Sequence, residues 1–451
     1  MVVKTYLTEN EHLLRKHNRV ISAVNKALKE NANYGRELDT YKKTSLAIML
    51  ETVSHAFDVR ARLVESGTQV GDIAAKNDYL NLIAAVMPTL VAEDLVNVQP
   101  LKQKAGVVYY MKHVYDDNKG TINRGDAIST IERVWPAADK LEGAINYSSE
   151  DIEDEAIDLA DGEAKLAWTP VVPGSVKIGS FVDDGQGNIS TGKIDYATGV
   201  ITGLTSEEKT VSYKMDLYTA PVRVPRIRTV ITDLTVTARP RKLATAFSMD
   251  AAFDVQMTQN IDLQSIIQGA ATDEIRSEID GEILFDLANS GTDMTISWNM
   301  PTPFGISRFE HYESFYQTIV EGANKIYNKT RRITGNFVIV GENAANVLET
   351  HSKFKAAASL NEAGPHVAGT LNGKFLIVKN PYFGSDDFVI GHNGDTPFDG
   401  GFIYAPYMPI TSTQFIMGEN FQGTQGYATS YAKKLVSKDF YVNGQITHVT
   451  D

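Results

Sequence analysis

The sequence predicts an α+β protein with several domains, and three observations predict it. Residues 248–290 carry apolar side chains at helical spacing, which marks a long amphipathic helix. Residues 175–216 break into very short β-branched segments between Gly, Asp and Asn turns, which marks a small antiparallel β-sandwich or barrel. From about Phe309 onward, helix-like and strand-like stretches alternate, as in a mixed α/β domain.

Residues 1–66 read as helical. Leu13, Val20, Val24, Ala27 and Leu28 recur at three- and four-residue steps, and Leu46, Met49, Leu50, Val53 and Phe57 repeat the pattern after a break at residues 31–35. Each stripe is narrow, so the expectation is an amphipathic pair on a surface or a flexible precursor arm. Ser66-Gly67 breaks the helix, and the apolar segment 83–95 stops at Pro100. Residues 107–115 read as a strand. Residues 150–163 hold eight carboxylates and no Lys or Arg, which reads as a solvated acidic loop or an exposed helix face. The short strands of the β module follow. Strand character resumes at 221–237, so the module is an insertion at a loop tip.

In the long helical segment, Ser248 is a candidate cap. Ile275, Ile279, Ile283 and Leu287 stack every four residues with Leu284 beside them. Asp273, Glu274, Arg276, Glu278, Asp280 and Glu282 are assigned to the other faces, and Gly291 to the end. Beyond it the pattern gives a helix at 309–329, a strand at 337–340, a helix at 342–351, and strands at 375–378, 388–390 and 402–404. Residues 427–446 form one or two closing strands, with Tyr431, Leu435, Phe440 and Val442 alternating with polar residues.

The chain has 451 residues, 43% hydrophobic and 22% charged, as in a soluble globular protein. No run of eighteen apolar residues predicts a transmembrane helix. Residues 1–10 lack the apolar core of a secretory signal. Cysteine is absent, which excludes disulfides, thiolate metal sites and a cysteine nucleophile. A net charge of −13 argues against a protein that neutralises phosphates over its whole surface.

Motifs for chemistry are sparse. The sequence contains neither a His-Glu-x-x-His zinc helix nor a Gly-x-Ser-x-Gly elbow. Residues 369–374 approach a phosphate loop, but the spacing is one short and Phe375 replaces the Ser or Thr, so a turn before a strand is favoured. His12 and His17 are five apart, the wrong offset for one helical face. Asp183, Asp184 and Asp195 are candidates for calcium, without the loop spacing of a known site. The expectation is therefore no catalytic residue, no cofactor and no metal. A basic stretch, Arg223, Arg226, Arg228, Arg239, Arg241 and Lys242, lies in strand-like sequence with only Asp233 opposing it. It reads as pairing with acidic surfaces of neighbouring copies in preference to contacting DNA.

Three short words carry a resemblance. They are Pro88, Leu90, Asp94, Leu95, Val98, Gln99, Pro100 and Leu101; the passage Gly335-Asn-Phe-Val-Ile-Val followed by Asn343, Asn346, Val347 and Leu348; and Tyr404-Ala-Pro-Tyr407. Asn420-Phe-Gln422 before an aromatic strand adds to them. In this order and separation they resemble the major capsid protein of T-even-like tailed bacteriophages. The resemblance implies the Hong Kong 97-type capsid fold and a structural, non-enzymatic role. On it, residues 1–66 are a helical N-terminal arm, 67–106 its continuation, and 107–240 an extended loop carrying the β insertion at about 145–218. Residues 241–308 are a peripheral domain whose spine helix begins near Ile261. Residues 309–415 are the axial domain, and 416–451 are strands returning to the peripheral domain.

The resemblance further implies self-assembly into hexamers, with pentamers as an option, in a phage head enclosing double-stranded DNA without sequence-specific binding. Vertex, portal, scaffold and decoration proteins are implied partners, the virion is the implied location with assembly in the host cytoplasm, and no membrane is involved. Relatives are trimmed by a prohead protease after a hydrophobic-x-Glu sequence. Leu63-Val-Glu65 before Ser66 resembles that site, as do Leu28-Lys-Glu30 and Leu360-Asn-Glu362. An encapsulin-like compartment, or a virion surface protein binding host or glycan through the β module, are the alternatives.

Overall fold

The structure, a computed structural model, describes residues 10–30, 38–63, 90–120, 122–126, 128, 147–157, 163–189, 192–203, 210–218, 223–259, 263–291, 293–330, 333–357, 364–394, 400–413, 416–417 and 422–449. Glu65, Ser66, Ile261, Asp158, Asp161, Asn420, Phe421 and residues 360–362 lie outside them. The helices are α1 (Glu11–Glu30), α2 (Thr40–Leu63), α3 (Ala92–Leu95), α4 (Met249–Gln259), α5 (Leu263–Ala288), α6 (Arg308–Thr330) and α7 (Glu342–Glu349). The chain divides into two compact units, residues 1–110 with 233–451, and residues 111–232.

The first unit contains a seven-stranded sheet in the order Thr295–Asn299, Tyr441–Thr447, Asp387–Gly391, Phe337–Val340, Phe375–Lys379, His366–Leu371, Phe354–Ala356. Strand residues alternate between faces, and both faces are covered. Val338, Val340, Phe375, Ile377, Phe388, Ile390, Val442 and Ile446 pack with α6 and α7. Phe337, Ile339, Val378, Val389 and Tyr441 share a core with Ile275, Ile279, Ile283, Leu284 and Leu287 of α5. Two-sided burial explains why the central strand is an unbroken apolar run. Gly444 makes room on the α6 side, because a Cβ there would lie 2.1 Å from the Phe388 ring.

A five-stranded sheet lies in the same unit, in the order Asn97–Val98, Phe402–Ser412, Gln422–Leu435, Arg239–Ser248, with Ile416–Met417 also on Gln422–Leu435. Strand Phe402–Ser412, assigned to the axial region, belongs to this sheet, whereas Thr295–Asn299 and Tyr441–Thr447, assigned to the peripheral domain, belong to the seven-stranded sheet. Long-range pairing decides this, and alternation within each strand cannot report it. Residues 239–248 form a strand that ends at Ser248, and α4 begins at the next residue, so this serine both closes the strand and holds the position before the helix where a cap was expected.

Helix α1 keeps the expected narrow stripe, with Leu13, His17, Ile21 and Val24 buried, whereas α2 departs from it. Residues 44–50 of α2 are all buried, because α1 packs on one side and strand Phe402–Ser412 on another. Lys16 and His17 of α1 meet Glu51 of α2 at 2.8 and 2.9 Å. Tyr41 donates to the Val98 carbonyl, and Lys42 pairs with Asp94.

The second unit holds two four-stranded antiparallel sheets. Asp151–Ala156, Thr210–Lys214, Lys177–Ile178 and Phe181–Val182 form one, and Glu163–Lys165, Val200–Thr202, Gly192–Asp195 and Asn188–Ile189 the other. They enclose one core with Ile152, Leu166, Trp168, Ile201 and Tyr213. Among the described residues of the acidic segment, Asp151–Ala156 is an edge strand where a loop or a helix face was expected: Ile152 faces the core, Asp154 is exposed, and Glu155 accepts from the Tyr213 hydroxyl and the Ala167 amide, so the edge is charged, which discourages stray strand pairing. The unit boundary falls within a two-stranded ribbon, Ala105–Tyr115 against Ile227–Thr237.

Candidate assembly surfaces

The six basic residues separate into two sets. Arg223 reaches Asp117 at 3.1 Å and the Ala167 carbonyl at 3.0 Å, with its guanidinium 4.4 Å from the Trp168 ring centre. Arg228 lies 3.5 Å from Asp116. Arg241 makes a two-pronged contact with Glu282 at 2.7 and 2.9 Å and lies over the Tyr431 ring. These three are held within the chain. The sequence saw only Asp233 nearby; the actual partners come from distant segments. Arg226, Arg239 and Lys242 are exposed and, among the described residues, form no ion pair.

The candidate calcium ligands build turns instead. The Asp183 carboxylate accepts from the Tyr196 hydroxyl at 2.7 Å and from the Gly174 and Gly185 amides at 2.7 and 3.1 Å. Asp184 accepts from the amides of Gln186 and Asn188, and Asp195 from Ala197 N–H and the Thr198 hydroxyl. Among the described residues no cluster of three or more His, Asp or Glu is arranged to hold a metal. Residues 369–371 end a strand and 372–374 form the hairpin turn, with Asn372 and Gly373 at φ of 52° and 66° between two paired strands.

Two carboxylates on α5 sit in opposite environments that the sequence did not distinguish. Asp280, assigned to an outer face, is buried and accepts from the backbone amides of Val91 and Ala92 at 3.2 and 2.9 Å. Burial outweighs those bonds and raises its carboxyl to about 7. Glu93 beside it is raised to about 8 by burial, against the pull of Lys42. Burial also acts to raise Glu282, but hydrogen bonds from Lys433, Tyr431 and Arg241 prevail and hold it at about 2.

Among the described residues, large apolar side chains are exposed on several elements, three of which are the ribbon, the loop before α6, and α4. On the ribbon they are Val107, Tyr109, Ile227 and Ile231. On the loop between strand Thr295–Asn299 and α6 they are Phe304 and Ile306, and Phe309 follows in α6. Phe253 and Met257 project from α4. Contiguous exposed apolar patches mark interaction sites, whereas single exposed apolar residues are ordinary. Among the described residues no helix is long and apolar enough to cross a membrane.

Comparison with known proteins is consistent with these surfaces. Residues 74–451 match the family model described as Major capsid protein Gp23. The chain is 23% identical over 396 residues to the major capsid protein of Vibrio phage KVP40, covering 78% of this chain and 74% of that one. It is 22% identical to the major capsid protein of Enterobacteria phage T6, covering 81% and 78%, and 27% identical to that of Enterobacteria phage T4, covering 44% and 42%. Similar solved structures include the capsid of Myoviridae Phage XM1, at TM-score 0.33 and 10% identity over 51% of this chain and 81% of that one. Another is the bacteriophage PhiM1 mature capsid, at 0.34 and 12% over 52% and 80%. The sequence matches are what decide. Proteins of the matched family are structural, not enzymes, and self-assemble into the shell of the virion head. The match over residues 74–451 places this chain in the Major capsid protein Gp23 family.

Proposed function

We propose that this chain forms hexamers, and pentamers where the shell curves, in a tailed-phage head of Hong Kong 97-type construction that encloses double-stranded DNA without reading its sequence. The observation that carries this is the ribbon, two eleven-residue strands of which Ile227–Thr237 is mostly exposed and Ala105–Tyr115 partly so, with apolar side chains among the exposed ones. A two-stranded ribbon is marginal in water alone, and neighbouring copies laid against it supply the missing burial. Obligate interfaces of this kind reach on the order of 2,000–5,000 Å². Of the basic stretch, Arg226, Arg239 and Lys242 are exposed and, among the described residues, free for such contacts on a chain of net charge −13. Portal, vertex, scaffold and decoration proteins complete the head, and assembly takes place in the host cytoplasm.

Cleavage after Glu65, before Ser66, belongs to the same proposal, since α1 and α2 would then leave as one piece. The mass of virion-derived protein tests it, and a full-length species refutes it. Electron microscopy of the purified chain with a scaffold protein tests the assembly. Shells, tubes or hexameric rings are expected. A chain that stays monomeric with scaffold present ends the reading.

A further inference from the structure

Helix α2 closes over a carboxyl group that has little to answer its charge. Lys42, Ser45, Leu46 and Met49 of α2, with Leu38 just before it, form one wall of a cavity of about 10 Å³. Glu93 of α3 and Val98 form the other wall. That is room for about one water molecule. Glu93 is 9% exposed, and neither its Oε1 nor Ser45 Oγ has a hydrogen-bond partner among the described residues.

The charged groups that face Glu93 come from four elements. Lys42 of α2 is already paired with Asp94, the next residue along α3. Asp280 of α5 accepts from the Val91 and Ala92 amides and feels Arg276 on its own helix. Strand Phe402–Ser412 contributes the buried Tyr404. With Lys42 engaged by Asp94, a charged Glu93 stands without an ion-pair partner among the described residues, in a space too small to hydrate it. Much of the wall that keeps water from it is α2 itself. Apolar contact with strand Phe402–Ser412 and the bond from Tyr41 to the Val98 carbonyl hold that wall down.

We infer that α2, carrying α1 with it, is a proton-dependent cover that sits firmly on α3 while Glu93 is protonated and opens more often once Glu93 ionises. Burial raises the Glu93 carboxyl from the usual 4.5 to about 8; Lys42 pulls it down, and Asp94 and Asp280 push it up. A carboxyl uncovered by α2 returns toward its value in water. Docking therefore holds a proton that the open state releases. It is strongest below about pH 4.5, weakens as pH rises toward 8, and levels off beyond, where both states are ionised. The inference concerns the single subunit and stands apart from the shell-subunit reading.

Hydrogen exchange of the unassembled full chain, followed by mass spectrometry on peptides from α2 and α6, tests it. Each rate is divided by that of the urea-unfolded chain at the same pH, which removes the intrinsic effect of pH on exchange. From pH 6 to 8.5 the α2 ratio is expected to rise at least about tenfold. The α6 ratio, read on the face of the seven-stranded sheet opposite α5, is expected to stay level. Glu93→Gln keeps the shape and cannot ionise, so the α2 rise is expected to vanish in it. A flat α2 ratio in the parent chain overturns the inference. A rise shared equally by α6 also overturns it, because the whole chain is then opening. A rise that survives in Glu93→Gln assigns the effect to another group and overturns it too.

Discussion

The seven-stranded sheet and the two-stranded ribbon both carry apolar strand residues, and only one of them is finished within the subunit. Strand Phe337–Val340 is apolar throughout and fully buried, with α5 on one face and α6 and α7 on the other. Strand Ala105–Tyr115 is also rich in valine, with tyrosine, Lys112 and His113 besides, yet Val107 and Tyr109 face solvent. The ribbon carries more polar residues, and the exposed Val107, Tyr109, Ile227 and Ile231 differ from the apolar residues of the sheet in coverage. A strand covered on both faces by its own chain stabilises the fold, and one left bare stabilises an assembly. Substitutions separate these roles.

The largest effect is expected in the covered sheet. Phe388 is fully buried, meets Phe315 edge to face at 5.1 Å and fills the space left by Gly444. Phe388→Ala is expected to cost about 3–5 kcal/mol in urea unfolding of the unassembled chain. A cost under about 1 kcal/mol would mean that the α6 side of the sheet is loosely packed.

Next come the carboxylates between α5 and its neighbours. Glu93 and Asp280 are raised above their unfolded values, so their contribution to stability is full below about pH 4 and is lost as pH rises through 7 and 8. Lys42, Asp94, Arg276 and Tyr404 are the other ionisable groups acting on the pair. Glu93→Gln is expected to be near neutral at pH 5 and to stabilise by on the order of 1–3 kcal/mol at pH 9, where the native carboxylate is charged and buried. Stability curves at the two pH values check this, and equal effects at both would refute it. Glu282 runs the other way: lowered to about 2, it contributes above about pH 4.5 and loses its contribution as pH falls toward 2. Glu282→Ala is expected to cost about 1–2 kcal/mol at pH 7, since water still reaches part of the network. The cost should shrink at pH 3.

These residues also show what a sequence can and cannot tell. The strand at 337–340 was legible because its apolar run is bounded by Gly335-Asn336 and Gly341, and α5 because four apolar residues repeat every fourth position. Strand Arg239–Ser248 was not, because its side chains are exposed or half-buried and its order comes from pairing with Gln422–Leu435, far along the chain. Asp280 and Glu282 are two residues apart on one helix, and nothing local separates a buried carboxyl from a networked one; Val91, Ala92, Arg241 and Lys433 do. The Ser307-x-x-Glu310 cap at the start of α6 was readable and was missed.

The smallest effect on folding, and the sharpest test of the comparison, belongs to the ribbon. Ile231 is 50% exposed on strand Ile227–Thr237, and Ile227 beside it is 61% exposed. Ile231→Ser should change stability of the unassembled chain by less than about 0.5 kcal/mol, the usual range for a surface position without special contacts. Assembly should respond differently, because a serine removes the apolar area a neighbour would cover, at about 25 cal/mol per Å². A shell repeats each contact in every copy, so a small loss per contact shifts the whole assembly equilibrium. Light scattering across a concentration series is expected to show a higher threshold for Ile231→Ser and a further rise for the double change with Ile227→Ser. If instead both variants unfold at lower urea and assemble at the parent's threshold, the ribbon supports its own subunit, and the contrast with the covered sheet fails.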